Sequence, residues 1–551
     1  MVFPVEDPSA LNAAQRARHL AIMSSESFDV VVVGGGVTGV GAALDAATRG
    51  LRVALVEQRD YASGTSSRSS KMFHGGLRYL ERFDFALVRE ALAERNLMLN
   101  VLCPHLVQPA SFVYPLRHRI WERLYVGAGV LLYELLARLA DNPLPRHAHL
   151  GRDGLRDLAP ALAAFGGVRY WDAVVDDARH TLTLARTAAA HGAILASSAR
   201  VVGFEDETGR VRAVRVKDLE AGGEISIATR SVINATGVWT DDVEGLAGEA
   251  GIDVRASKGI HLLVPREAID SQTGILLRTK ASVLFVIPWD RHWIVGTTDT
   301  PWSLRRAHPA ASRSDIEYLL HWVNSALVTP LLTEDIVGVY AGLRPLLTGE
   351  SEETSKLSRE HAVLDRGNGM ISVAGGKYTT YRVMASDAVD AMTRYLDGDP
   401  PPSRTREVPL VGATSPLAER IHTRYGSLKG DIGESIAARP HYGRPVVADA
   451  PYLVAEIAYA TTHEGALHLD DVLARRTRMS IETSHRGVGA APAVVTIMGE
   501  ILDWDQATAQ REIDHYEARV RAELDSQRQP DDHTADAARM GAPDVRTGHS
   551  E

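Results

Sequence analysis

Several short segments of this chain carry residue types that could do chemistry together. Gly34-Gly35-Gly36-Val37-Thr38-Gly39 contains G-x-G-x-x-G at Gly34, Gly36 and Gly39. The first glycine of such a loop permits a tight turn, and the second lets backbone N–H groups approach a pyrophosphate at a helix N-terminus. The third brings helix and strand close together. Glu57, 21 residues after Gly36, ends the next predicted strand. An adenosine ribose needs an acceptor for its two hydroxyls there, and a 2′-phosphate would be repelled. Asn234-Ala235-Thr236-Gly237 and Gly375-Gly376-Lys377-Tyr378-Thr379-Thr380 lie far from this unit in sequence. Ala235, Thr236, Gly237, Gly375, Gly376, Lys377 and Thr379 offer the backbone, hydroxyl and ammonium donors that a ribityl chain and an isoalloxazine would need. FAD is therefore expected in preference to NAD.

A second set of residues could handle a phosphorylated alcohol. Arg78, Arg344 and Lys377 stand in glycine-rich or proline-bounded segments, away from amphipathic surface patterns. Guanidinium forks and a compact ammonium suit a phosphate dianion. Oxidising a secondary alcohol removes a hydride from carbon and a proton from oxygen, so a base must stand near the carbinol. His261 and His74 have the ordinary pKa that suits this role. His261 is preferred, because it begins a predicted strand of the substrate region. His74 as a brace for the flavin and a proton path assisted by Arg or Lys stay open. Thr298 and Asp299 are candidates for lining the site, and Ser66, Ser67, Ser69, Ser70 and Lys71 for holding the pyrophosphate or flavin edge. The His463-Glu464-Gly465-Ala466-Leu467-His468 run spaces its histidines at i and i+5, which do not share a helix face, so no metal is expected.

These groups need elements to hold them. Phe28 to Val33, Val37 to Arg49 and Leu51 to Val56 read as a βαβ unit. Helical patterns cover Phe85 to Leu102. Val201 to Lys217 and Glu224 to Ile233 read as hairpin strands, and Ile260 to Val264, Ser282 to Pro288 and His292 to Gly296 as a second sheet. Met370 to Val373 is a last strand, followed by a helix from about Tyr378. The expected fold class is α/β: a Rossmann-like FAD-binding domain, an inserted antiparallel-sheet substrate domain and a C-terminal helical domain. The expected boundaries give the FAD-binding domain residues 28–104, 166–257 and 337–398, with a cap and possible membrane-facing segment at 105–165. The substrate domain takes 258–336 and the helical domain 399–525. An N-terminal extension (1–27) and a disordered tail (526–551) flank them.

Composition sets outer limits. A chain of 551 residues exceeds one core, which predicts more than one domain. The net charge of −10 disfavours nucleic acid. A single cysteine, Cys103, excludes an intrachain disulfide or a self-ligated iron-sulfur cluster and is expected to be a small buried residue. No secretory signal or apolar run of bilayer length is visible, so the chain is expected to stay inside the cell. From Arg119 to Leu139 apolar residues recur at helical spacing, with Arg117, Arg119, Arg123 and Arg138 flanking or opposing them. This is either a helix packed on its own domain or a membrane-lying one.

The runs FDVVVVGGGVTGVGAALDAATRGLRVALVE, SSRSSKMFHGGLRYLE, VVDDAR, INATGVW, VGTTD, YAGLRPL and AGGKYTTYR resemble the FAD-dependent glycerol-3-phosphate dehydrogenase family from about Phe28 to Arg382. A weaker match, THEGALHLDDVLARRTR, extends it to Arg478. The resemblance implies oxidation of sn-glycerol 3-phosphate to dihydroxyacetone phosphate. It also implies electron transfer to membrane quinone by a homodimeric enzyme lying peripherally on the inner face of the cell membrane. It assigns Arg78 and Arg344 to substrate, Lys377 to both flavin and substrate oxygen, and the loop around Ser66 to Lys71 to the cofactor. Two other readings stand beside it: a soluble oxidase of the same fold that produces hydrogen peroxide, and a flavin-folded binding module without turnover.

Overall fold

The computed structural model describes residues 7–118, 120–248, 253–279, 283–347, 361–415, 419–542 and 544–546. Arg119 and Ser282, named above, lie outside the described residues. Ser27–Val33 is buried almost throughout its second half, the pattern of a strand covered on both faces of a parallel sheet. It pairs in parallel with Val53–Val56 on one side and Glu224–Asn234 on the other, and Val33 stands opposite both Val56 and Asn234. Met370–Gly375 continues the parallel order beyond Glu224–Asn234. The carboxyl ends of these strands therefore release Gly34, Glu57, Ala235 and Gly376 at one edge, where open α/β sheets bind ligands. Helix Val37–Thr48 packs on helices Asp177–Ala190 and Tyr381–Met392, and its Ala-rich sequence is buried almost completely.

The second sheet has ten strands and centres on Val254–Pro265. Gly338–Leu347 pairs antiparallel along nearly all of that strand, with Ser257 opposite Arg344, Gly259 opposite Gly342 and His261 opposite Tyr340. Strand periodicity puts these six residues on one face. Val107–Pro115, Gly167–Val175 and Met72–Phe73 extend the same sheet. This corrects three expected boundaries: Gly167–Val175 and Gly338–Leu347 pair with the substrate sheet rather than the nucleotide sheet, and Met72–Phe73 crosses to it from the first segment. Alternation alone cannot say which sheet a strand joins.

The ends of the chain also differ from expectation. Ala13–Ser25 is a helix whose Arg16 donates to the Ser197 and Ser198 carbonyls and pairs with Asp218. Residues 526–551 do not form a disordered tail where described: helix Gln506–Arg528 runs into the region, and Asp532–Arg539 is a helix of its own. Asp532 pairs with Lys258, and Arg546 reaches Ser198 Oγ at 2.9 Å and Asp471 at 2.8 Å. Ion pairs hold this segment, so apolar periodicity carries no sign of it. Cys103 is fully buried.

The C-terminal helices are stitched to the nucleotide domain by buried charge. Arg476 forks onto Asp60 at 2.5 and 2.7 Å, and Arg179 pairs with Glu464. His463 stacks on Tyr459, whereas His468 lies between Glu220 and Glu512, 2.9 Å from each, so the two histidines serve different partners. Burial and the Arg546 charge oppose protonation of His468, but the two carboxylate hydrogen bonds outweigh them and raise its pKa to about 9. A folded-state pKa above the unfolded value stabilises fully below the unfolded pKa of about 6.5 and is lost as pH rises through the folded one. Thermal melts from pH 7 to pH 9.5 should show falling stability in the wild type and a flatter dependence in His468→Gln; equal slopes would remove the charged histidine from the account.

Candidate active site

A cavity of about 970 Å3 runs between the two sheets. That is the upper end of the range for small-molecule sites, enough for a dinucleotide and a further small ligand. At one end Gly34, with φ of 109°, turns the chain out of its strand, and a side chain there would meet the Ala235 carbonyl oxygen at 2.8 Å. A Cβ on Gly39 would stand 2.0 Å from the Gly34 carbonyl oxygen, so the helix can approach the strand only with glycine at that position. Ser66 Oγ accepts from the Val37 N–H at 2.9 Å at the helix N-terminus. Glu57 accepts from the Gly35 and Arg59 N–H groups at 2.7 and 2.8 Å. Burial raises its pKa against those two bonds. A half-buried carboxylate at the cavity wall, with lone pairs to spare, fits the ribose hydroxyls of FAD, and the open helix N-terminus fits its pyrophosphate.

At the other end the paired strands present Arg344 and His261. Arg344 Nη2 donates to Thr297 Oγ1 at 3.0 Å and the Thr298 carbonyl at 3.1 Å, and Nη1 lies 3.4 Å from Asp299. Asp299 also accepts from Ser257. Gly259 makes the room: a Cβ there would meet Arg344 Nη2 at 2.5 Å. His261 stacks on its cross-strand neighbour Tyr340 with ring centres 4.7 Å apart, and its Nε2 is 2.9 Å from Ser70 Oγ. Gly296, opposite on the other side, leaves space for the imidazole. Burial, then the charges of Arg344 and Lys71, hold His261 well below the usual histidine range.

The third wall comes from Gly76 and the short helix Leu77–Arg82. Tyr79 packs against two cations, with Lys377 Nζ 3.9 Å and Arg78 Cζ 5.1 Å from its ring centre. Cation–π attraction thus gathers like charges that would otherwise separate. Burial, followed by Lys377 and Arg78, lowers His74 to a pKa of about 3. Thr379 Oγ1 lies 3.3 Å from both the N and the O of His74, which ties the two segments together.

Most of the residues expected from the sequence meet here. Gly34, Gly36, Glu57, Ser66, Ser69, Ser70, His74, Arg78, Ala235, Thr236, Gly237, His261, Arg344, Gly375, Gly376, Lys377 and Thr379 line the cavity. Four expected site residues do not. Gly39 sits beneath Gly34, and Ser67 is buried with its carbonyl on Lys71. Lys71 is fully buried, with Nζ 2.7 Å from Asp177, so it is a strut for the loop rather than a cavity group. The Thr298 hydroxyl accepts from the Ile260 N–H at 3.0 Å, and only its carbonyl serves the site, through Arg344. Tyr79, Thr297 and Tyr340 were missed; the adjacency of Tyr79 to Arg78 was the one available signal. Among the described residues no group of His, Cys, Asp and Glu could hold a metal ion.

Comparison with known proteins bears on the same residues. Residues 29–382 match the FAD dependent oxidoreductase family, and residues 371–509 match the C-terminal domain of alpha-glycerophosphate oxidase. The chain is 52% identical to a glycerol-3-phosphate dehydrogenase of Mycobacterium leprae, over 98% of this chain and 96% of that one. It is 34% identical to the mitochondrial glycerol-3-phosphate dehydrogenase of Mus musculus, over 91% and 74%. The crystal structure of the glycerol-3-phosphate dehydrogenase from Bacillus halodurans complexed with FAD superposes with a TM-score of 0.74 at 26% identity, covering 93% of this chain and 98% of that one.

Gly39→Ala tests the nucleotide end. The added methyl meets rigid backbone, so the loop must move away from its strand. The purified variant should carry little flavin absorbance and bind added FAD at least ~10-fold more weakly, about 1.4 kcal/mol. Full flavin content would show that this approach is not needed.

Proposed function

The chain belongs to the FAD-dependent glycerol-3-phosphate dehydrogenase family, and from that membership we propose that it oxidises sn-glycerol 3-phosphate to dihydroxyacetone phosphate and delivers the electrons to membrane quinone. The observation that carries the substrate is that Arg344, Arg78 and Lys377 all line one cavity, beside two histidines held neutral. FAD, when bound, supplies the acceptor for the hydride leaving the carbinol carbon. The three cations bind the phosphate dianion, and Thr297, the Thr298 carbonyl and Asp299 keep the Arg344 fork in place. His261 takes the hydroxyl proton, with Ser70 as its hydrogen-bond partner at the cavity wall. Its low pKa in the free protein arises partly from Arg344, so the arriving dianion offsets that charge and makes the imidazole a stronger base when substrate is present. His74, lowered further by Lys377 and Arg78, acts as a neutral hydrogen-bonding group beside the site.

Quinone delivery and a place on the inner face of the membrane, with the homodimer of the family, form the second part of the proposal. Helix Trp121–Arg138 supports the membrane part. Ile120, Trp121, Leu124, Leu131, Leu135 and Leu139 on or beside it are exposed, and Phe83 and Phe85 are exposed too. Its Tyr125, Val126, Ala128, Gly129 and Leu132 line the cavity. Of the flanking cations, Arg123 donates to the Leu150 carbonyl and Arg138 pairs with Glu134, while Arg117 is exposed. An apolar face that lies in the acyl boundary and backs directly onto the cavity gives a lipid-soluble acceptor a short route. Among the described residues no helix is long and apolar enough to cross a membrane.

Anaerobic addition of glycerol 3-phosphate to the holoenzyme should bleach the yellow flavin absorbance; no bleaching refutes the proposed reaction. Reoxidation by a quinone analogue against peroxide formation in air then separates dehydrogenase from oxidase. Arg344→Ala should lower kcat/KM by roughly 10- to 150-fold, the ~1.5–3 kcal/mol of a charged hydrogen bond, with the loss mainly in KM. Trp121→Glu with Leu124→Glu should abolish sedimentation with anionic vesicles and leave turnover with a soluble dye intact; retained vesicle binding would place the membrane face elsewhere.

A further inference from the structure

A separate cavity of about 70 Å3 lies among residues 67–68, strand Gly338–Leu347 and helix Gln506–Arg528. Six arginines line it, Arg68, Arg475, Arg478, Arg486, Arg519 and Arg539, against two carboxylates, Asp470 and Glu523. Arg475 is neutralised by Asp60 and Asp471, and Arg478 by Asp176 and Asp177. Arg519 pairs with Asp470, and Arg539 reaches Glu523 only at 3.5 Å. Arg68 and Arg486 bond to neutral groups instead: Arg68 Nη1 donates to the Ala307 carbonyl at 3.1 Å, and Arg486 Nη2 to Gln527 at 3.3 Å. Arg486 is 5% exposed, and its Nη1 is buried without a hydrogen-bond partner, as is Arg539 Nε.

Burying a guanidinium without a counter-charge is strongly unfavourable unless an anion completes the site. Burial and the surrounding arginines push Arg68 well below the usual guanidinium range, and burial with Arg539 lowers Arg519 to about 10. The volume admits one tetrahedral oxyanion and excludes a nucleotide. Guanidinium forks match such an anion in geometry as well as charge.

We propose that this cavity binds a small oxyanion dianion, inorganic phosphate, through Arg486 and Arg539 with Arg68 closing the site. It is separate from the cations of the substrate end and does not depend on the reaction proposed for them. Arg68 also lines the main cavity, and Tyr340, which stacks on His261, lines the small one, so the two sites share a wall.

The test is thermal melting and calorimetry of the holoenzyme with inorganic phosphate against chloride at matched ionic strength. An anion that binds only the native state raises Tm in proportion to the logarithm of its concentration above Kd. The wild type should show this rise. Arg486→Gln should weaken phosphate binding by at least tenfold in that assay, melt at or above the wild type in chloride alone, and leave inhibition of glycerol 3-phosphate oxidation by phosphate unchanged. Glu523→Gln, which removes a competing carboxylate, should tighten binding. No phosphate-specific rise in the wild type, or equal rises in wild type and Arg486→Gln, overturns the proposal. Should Arg486→Gln not fold, unchanged affinity in Glu523→Gln overturns it.

Discussion

The carboxylate of Asp177 is the interaction on which the rest of the structure turns. It is fully buried and accepts from Lys71 Nζ at 2.7 Å, Arg478 Nη2 at 2.6 Å, and the backbone and hydroxyl of Ser69 at 2.9 and 2.7 Å. One acid thereby fixes three partners: the loop after Glu57, the first turn of helix Asp177–Ala190 and the C-terminal domain. The loop so held carries Ser66 to the helix N-terminus and Ser70 to His261. Removing one partner from such a buried set costs about 3–5 kcal/mol, because the remaining charge has no water to turn to. The nucleotide end and the reaction end of the cavity are therefore held in mutual register by electrostatics rather than by apolar packing alone.

Charge is distributed unevenly for the same reason. The chain is net negative by ten, yet Arg344, Arg78 and Lys377 all line its main cavity. Surface charge more than a Debye length away, about 8 Å at physiological ionic strength, is largely screened. What an anionic ligand meets is the local set, and the histidines beside it, depressed in pKa first by burial, are held lower still by neighbouring cations. The two glycines facing each other at Gly259 and Gly342 complete the arrangement: Gly259 leaves room for the Arg344 side chain, and Gly342 lets the Arg68 backbone pack directly on the strand.

Much of this was legible in the residues. Gly34 and Gly39 betray themselves because no other residue fits where backbone meets backbone, and with Gly36 their spacing pointed to the loop. The segments containing Arg78, Arg344 and Lys377 were visible through their glycine and proline context. Lys71 and Thr298 were misplaced because a cation or hydroxyl beside a site looks the same in sequence whether it faces the ligand or braces the loop; only the partner, Asp177 or the Ile260 N–H, decides. The tail escaped notice because Arg546 bonds to Ser198 and Asp532 to Lys258, hundreds of positions away, and long-range polar contacts have no period. Sheet membership of Gly167–Val175 was hidden for a related reason, since pairing partners are a property of topology.

The lone thiol has a practical consequence. Cys103 is buried completely beneath the nucleotide domain, and burial pushes its pKa up, so it offers neither exposure nor thiolate to a reagent. A cysteine introduced at any exposed position would be the single reactive thiol on the molecule. A fluorophore attached there, for instance beside Trp121 on the apolar helix, would report whether that helix meets a lipid surface, without background labelling.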